Sequence, residues 1–148
     1  MADFIVRPAN KEEFPAIRAL IHAVQINPTG LAWRRFLVAV TGTGELIGCG
    51  QIKPHSDGSR ELASIAVQTQ FRGQGAARAI IEALLERETR RPLYLMCRAG
   101  LGPLYTKFGF RPATIEEMPP YFQRIYRLAN LFSRRESAED RLLVMRLD

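Results

Sequence analysis

What this 148-residue chain lacks narrows it first. It has two cysteines, Cys49 and Cys97, each inside an apolar run, and two histidines, His22 and His55, that share no metal-ligand spacing. A disulfide scaffold and a zinc site are thereby disfavoured, so reduced, buried thiols in an intracellular protein and no metal are expected. The first residues, MADFIVRPAN, contain no long apolar core and no cleavage-like segment. No run approaches the length needed to cross a bilayer, so a soluble, cytoplasmic protein with no membrane partner is expected. Repeats, low-complexity tracts and linkers are missing too, and the length fits one domain over residues 1–148 that buries about 70% of its unfolded surface. Acid is in deficit, 15 Asp and Glu against 21 Lys and Arg, which gives a net charge of +6 carried mainly by arginine. Such a surface suits an anionic ligand. The arginines are scattered and form no recognisable nucleic-acid motif, so a solvated basic surface without a nucleic-acid partner is the expectation.

What is present centres on residues 61–85, ELASIAVQTQFRGQGAARAIIEALL. Residues 62–67 form a short apolar strand and 68–75 a polar turn with glycines. The following helix carries Ala77, Ile80, Ile81, Leu84 and Leu85 at helical spacing. A strand feeding a helix through glycines gathers free N–H groups and the positive end of the helix dipole at one point, which attracts phosphate. Gly73 and Gly75 let the backbone approach a ligand closely, and Gln70 and Arg72 add polar groups. An ordinary surface turn would contain the same two glycines, so a second segment has to decide.

That segment is 104–110, LYTKFGF. Residues 70–75, QFRGQG, resemble the Q/R-x-x-G-x-G/A pyrophosphate loop of the GNAT superfamily of acyl-CoA-dependent N-acetyltransferases, and Tyr105 to Phe110 resembles its later Y-x-x-x-G-F segment. The resemblance covers nearly the whole chain. It implies acetyl-CoA as co-substrate and a mixed central sheet whose two parallel strands splay to admit the pantetheine arm. It assigns the backbone at Ala66 and Val67 to that arm, and Gln70, Arg72, Gly73, Gln74, Gly75, Ala76 and Ala77 to the pyrophosphate.

The remaining elements are consistent with this order. Residues 4–7 alternate as a first strand. A helix follows with Phe14, Ile17, Leu20, Ile21 and Val24 as its apolar stripe; Asn10 and Glu13 resemble a capping box, while Pro15 suggests a later start. Residues 25–33 are a connection in which Trp33 either lines an acceptor pocket or simply packs. Residues 36–40, 46–52 and 61–67 are strands joined by short turns at 41–45 and 54–59, an antiparallel meander. After the central helix, 93–97 is apolar on both faces, as a covered strand should be, and the strand-helix-strand crossing makes it parallel to 61–67. A short helix, 103–107, stops at Gly109, and residues 110–113 begin another strand. Residues 119–135 read as a helix with Phe122, Ile125, Tyr126, Ala129 and Phe132 on one face and Arg134 and Arg135 at its negative end; packing on the sheet is the favoured reading of that face and docking on a membrane surface the competing one. Its length exceeds the family's usual connector. Residues 141–147 complete the sheet. The fold class is α/β (α+β): an antiparallel front half, parallel strands at the centre, and flanking helices.

Acyl transfer to an amine requires removal of an amine proton and stabilisation of the departing thiolate. By resemblance Glu61, near the start of the central strand, takes the proton, directly or through a water; an acid paired with Arg60 at the strand edge is the competing reading. Strand alternation puts Glu61 on one face with Ala63, Ile65 and Val67 unless a bulge intervenes. The resemblance also aims the Tyr105 hydroxyl at the coenzyme sulfur, as a general acid that protonates the departing thiolate; a tyrosine that simply packs is the competing reading. Cys97 lacks a base to make it a nucleophile, so direct transfer in a ternary complex is expected. The acceptor is a small-molecule or peptide amine, and a homodimer is left open. A non-catalytic acyl-CoA-binding or partner-docking module is the alternative.

Overall fold

The computed structural model describes residues 3–132 and 137–148. Its strands form one mixed sheet in the order β1-β2-β3-β4-β5-β7-β6. The chain divides into two compact units, Met1–Lys53 with Leu62–Thr89, and Pro54–Glu61 with Arg90–Asp148.

In the first unit, β1 (Phe4–Pro8) pairs antiparallel with β2 (Phe36–Thr41), and β2 pairs antiparallel with β3 (Leu46–Pro54). The Asn10–Glu13 capping box forms in both directions: the Glu13 N–H donates to Asn10 Oδ1 at 3.1 Å and the Asn10 N–H to Glu13 Oε1 at 2.9 Å. It caps a 3-10 turn, Lys11–Glu13, and α1 (Phe14–Ala23) begins behind it with Pro15 in its first turn. The late start has a plain cause: proline cannot supply the N–H that an earlier α-helical turn would use. Ile17, Leu20 and Ile21 of α1 are buried together with Phe36, Val38 and Val40, and Phe14 and Val24 pack partly against that cluster. The alternate residues of β2, Leu37 and Ala39, are turned to the opposite face and are also buried.

On that opposite face lies α2 (Ala76–Arg87), and two glycines of β3 make room for it. A Cβ built on Gly50 would meet Ile65 Cδ1 at 2.6 Å, Ile80 Cγ2 at 2.8 Å and Leu84 Cδ1 at 3.1 Å; one on Gly48 would meet Ile80 Cδ1 at 3.0 Å. Glycine inside a strand here marks close approach of a packed helix. Gly50→Ala is expected to lower stability by about 1–3 kcal/mol through overpacking, measured by denaturant melts, although alanine is the better strand residue in isolation.

In the second unit, β5 (Leu93–Arg98) runs antiparallel to β7 (Leu142–Leu147), which also pairs with the short β6 (Arg111–Pro112). The first residues of β4 (Arg60–Val67) join β5 in parallel, with Glu61 opposite Tyr94, and this is the one registered pair between them among the described residues. A short helix, α3 (Gly102–Thr106), leads to a turn in which the Phe110 N–H returns to Tyr105 O at 3.3 Å.

Helix α4 (Pro120–Phe132) drives Phe122 into a cluster with Tyr94, Met118 and Val144. Its expected packing face needs one correction: Phe132 is 81% exposed, as are Leu128 at 57% and Leu131 at 71%. At 3.6 residues per turn, Phe132 lies within about 20° of the half-buried Ile125, so its exposure goes with its place in the last turn of α4 and not with the face it occupies. The basic pair expected at the helix end, Arg134 and Arg135, lies outside the described residues. No described helix is long and apolar enough to cross a membrane.

Candidate active site

The loop that follows β4 is shaped by Gln68. Its backbone N–H donates to Ile47 O at 2.8 Å, its side-chain Nε2 donates to Leu46 O at 2.6 Å, and its Oε1 accepts from Gln70 Nε2 at 2.7 Å. One residue thus ties the loop to β3 and holds Gln70. A 3-10 turn, Thr69–Phe71, follows, and then Gly73 at φ 78° and Gly75 at φ 87° reverse the chain. Gly75 caps α2 from the left-handed region without any side-chain cap. The first N–H groups of a helix have no intrahelical partner, so those at the α2 start point out of it. A Cβ on Gly73 or on Gly75 would meet no atom within 4 Å. The protein therefore leaves open the space that side chains there would fill, and the residues fit a pyrophosphate held by backbone amides and the helix dipole.

The other residues assigned to this cradle differ in what they can offer. Arg72 is exposed and Gln74 and Ala77 are half-buried. Ala76 is 2% exposed, so its methyl belongs to the core and only its backbone can reach a ligand. Upstream, Ala66 is buried and Val67 half-buried.

Between them and Glu61, Ser64 takes φ 60°, a left-handed residue in the middle of β4. Gln51 Nε2 donates to Ser64 Oγ at 2.8 Å, and Cys49 Sγ to Ser64 O at 3.5 Å. The interruption breaks the two-residue alternation, so Glu61 does not share one continuous face with Ile65 and Val67.

In the second unit, Tyr105 closes α3, its ring edge-on to Phe110 at 6.4 Å between centroids. Burial, with a smaller contribution from the nearby Cys97 thiol, pushes its hydroxyl up to about 12. Burial likewise lifts Cys97 to about 11. Both groups are held protonated at neutral pH: Tyr105 as a standing donor, Cys97 as a poor nucleophile.

Glu61 is buried, and its Oε1 lies 2.8 Å from His55 Nε2. The imidazole stacks on Tyr121, with centroids 3.6 Å apart and rings 19° from parallel, and meets Phe122 edge-on at 5.5 Å. Asp57 Oδ2 accepts the Tyr121 N–H at 3.0 Å, which ties the 54–59 turn to the start of α4. Burial raises Asp57, but hydrogen bonds from Ser59 and Tyr121 outweigh it and leave the carboxyl below its ordinary value. Nothing in the sequence beyond the six-residue separation across a hairpin turn marks His55 as Glu61's partner. Among the described residues no group of three or more His, Cys, Asp and Glu could hold a metal ion.

Residues 32–112 match the acetyltransferase (GNAT) domain model. The match spans more than half of the chain, which belongs to the GNAT family of acetyltransferases. Solved structures agree on the fold. N-acetylglutamate synthase from Neisseria gonorrhoeae, complexed with coenzyme A and N-acetyl-glutamate, is 22% identical with a TM-score of 0.72 over 100% of this chain. This chain spans 36% of the length of that synthase. A Mycobacterium tuberculosis protein in complex with CoA and NLQ is 20% identical with a TM-score of 0.72, covering 97% of this chain and 98% of its own. The Escherichia coli ribosomal-protein-S18-alanine N-acetyltransferase is 20% identical with a TM-score of 0.67, covering 98% and 93%. No curated protein matches the sequence significantly.

Proposed function

We propose that the chain is a single catalytic domain that transfers an acetyl group from acetyl-CoA to a primary amine by direct attack in a ternary complex. The observation that carries this reading is the junction between β4 and α2, where two left-handed glycines leave open space in front of a helix N-terminus. On this reading the backbone of Gly73 to Ala77, with Arg72 and Gln70, holds the pyrophosphate, and Ala66 and Val67 offer backbone to the pantetheine arm. The amine nitrogen attacks the thioester carbonyl and the C–S bond breaks. Glu61 takes the proton lost by the nitrogen, directly or through a water.

Tyr105 serves the departing sulfur. A phenol held near 12 is a weaker acid than a free thiol, whose ordinary value is about 8.5, so outright proton transfer to the thiolate runs uphill. The hydroxyl acts instead as a hydrogen-bond donor that stabilises charge building on sulfur, while solvent supplies the final proton.

The acceptor is a small amine or an exposed peptide amine. Structural neighbours span both kinds, one complexed with N-acetyl-glutamate and one an alanine N-acetyltransferase of a ribosomal protein. The test is thiol release from acetyl-CoA across amino acids, polyamines, aminoglycosides, arylalkylamines and peptides. Amine-dependent release with formation of the acetylated amine supports the reading. Tight coenzyme binding with no amine acetylated would favour a non-catalytic module.

A further inference from the structure

We propose that His55 is the positioning partner of Glu61, and that α4, through Tyr121 stacked on the imidazole, holds this partner in place. The proposal rests on the reading of Glu61 as the group that takes the amine proton. Both side chains are withdrawn from water, at 8% exposure for His55 and 6% for Glu61. A buried carboxylate is costly unless donors satisfy it; because an ionised carboxylate can only accept, Nε2–H is the donor across the 2.8 Å contact when Glu61 is ionised, and it orients Oε1.

The imidazole is itself held on two sides. Tyr121 covers one face at 3.6 Å, and Phe122 abuts it at 85°. Rotating the ring away from Glu61 would break the stack. The stack cannot easily slide, because Asp57 anchors the Tyr121 backbone while its other oxygen accepts from the Ser59 N–H at 2.8 Å. Among the described residues, the titratable and charged groups that act on this cluster include Glu61 on β4, Asp57 in the same turn as His55, and Tyr121 and Arg124 on α4. The Tyr121 hydroxyl is raised by burial and then by the Glu61 charge, with Arg124 opposing. This gives the first turn of α4 a part in the chemistry that its packing alone does not require.

A donor to the ionised carboxylate favours the form able to accept a proton. Removing the donor moves the acid limb of the rate profile to higher pH. His55→Phe keeps an aromatic ring for Tyr121 to stack on and deletes the donor; His55→Gln keeps a donor and loses the ring. The whole chain is assayed by thiol release from acetyl-CoA, with the best amine of the panel and, independently of it, with water as acceptor.

The expected result for His55→Phe is a drop in kcat of about tenfold or more, an acid limb moved to higher pH, and an unchanged KM for acetyl-CoA. His55→Gln should restore most of the rate and the limb. In the wild-type proton spectrum a slowly exchanging imidazole N–H, assigned to Nε2, should be visible and should vanish in His55→Phe. Should His55→Phe retain both rate and limb, or should His55→Gln rescue neither, the proposal is overturned. A melting temperature lowered without any change of limb would reduce the pair to a structural contact, which also overturns it. Glu61→Gln separates this from the underlying reading: it cannot take a proton yet can still accept from Nε2. If Glu61→Gln keeps full rate, the base assignment itself fails, whatever His55 does.

Discussion

Tyr105→Phe is expected to lower turnover about 100-fold or more while leaving the affinity for acetyl-CoA within about twofold, because in the proposed reaction the lost hydroxyl acts on charge present only in the transition state. The ring stays, so its edge contact with Phe110 is kept and stability should change little. The raised hydroxyl adds a pH signature. A phenol whose folded value lies near 12, above its ordinary 10, contributes stability that is complete below pH 10 and lost as pH rises through 12. It follows that no limb of the rate profile below about pH 10 should belong to Tyr105, and the limbs of the phenylalanine variant should coincide with those of the wild type. Equal kcat in the two proteins would remove Tyr105 from the reaction.

Gly75→Val should abolish measurable coenzyme binding, a loss of about 100-fold or more, by placing a branched side chain in the space the pyrophosphate would occupy. The substitution also strains the backbone, since a β-branched residue at φ 87° costs on the order of 1–3 kcal/mol. A matched control isolates that strain. Gly44, in the β2–β3 turn, has φ 89° and likewise nothing within 4 Å of an added Cβ. Gly44→Val should therefore lose similar stability and keep coenzyme affinity, by calorimetric titration. If the two variants bind coenzyme equally well, the loop is an ordinary turn.

Much of this was legible because it depends on local pattern. The apolar spacing of Ile17, Leu20 and Ile21 is enough to orient α1, and that of Ile80, Ile81 and Leu84 to orient α2. The glycines of the 68–75 turn and the Tyr105 segment carry the family resemblance in sequence order, and the match over residues 32–112 bears out that resemblance. What escaped depends on where side chains meet after folding. Ser64's left-handed backbone follows no composition rule, because serine has no intrinsic preference for φ 60°; its hydroxyl and carbonyl are both engaged from β3. Gln68 reads as one more polar turn residue until its bonds to Leu46 and Ile47 appear. His55 sits in a turn sequence, PHSDGS, and its pairing with Glu61 is a matter of hairpin register and of a stack from α4 some sixty residues away. Gly48 and Gly50 were legible in principle, since glycine within a strand signals close approach. Phe132 follows the apolar spacing of α4 but falls on its last residue, and helical spacing alone does not say where the helix outruns its cover.

In the proposed reaction the turn from β4 into α2 grips a phosphorylated thioester carrier by its backbone. Titrating the isotopically labelled chain with coenzyme A and following its amide resonances tests this without knowledge of the acceptor. Saturable shifts concentrated at Arg72, Gly73, Gln74, Gly75, Ala76 and Ala77, with Val67 following, are the expected result. Saturating coenzyme A that leaves those amides unmoved would contradict it.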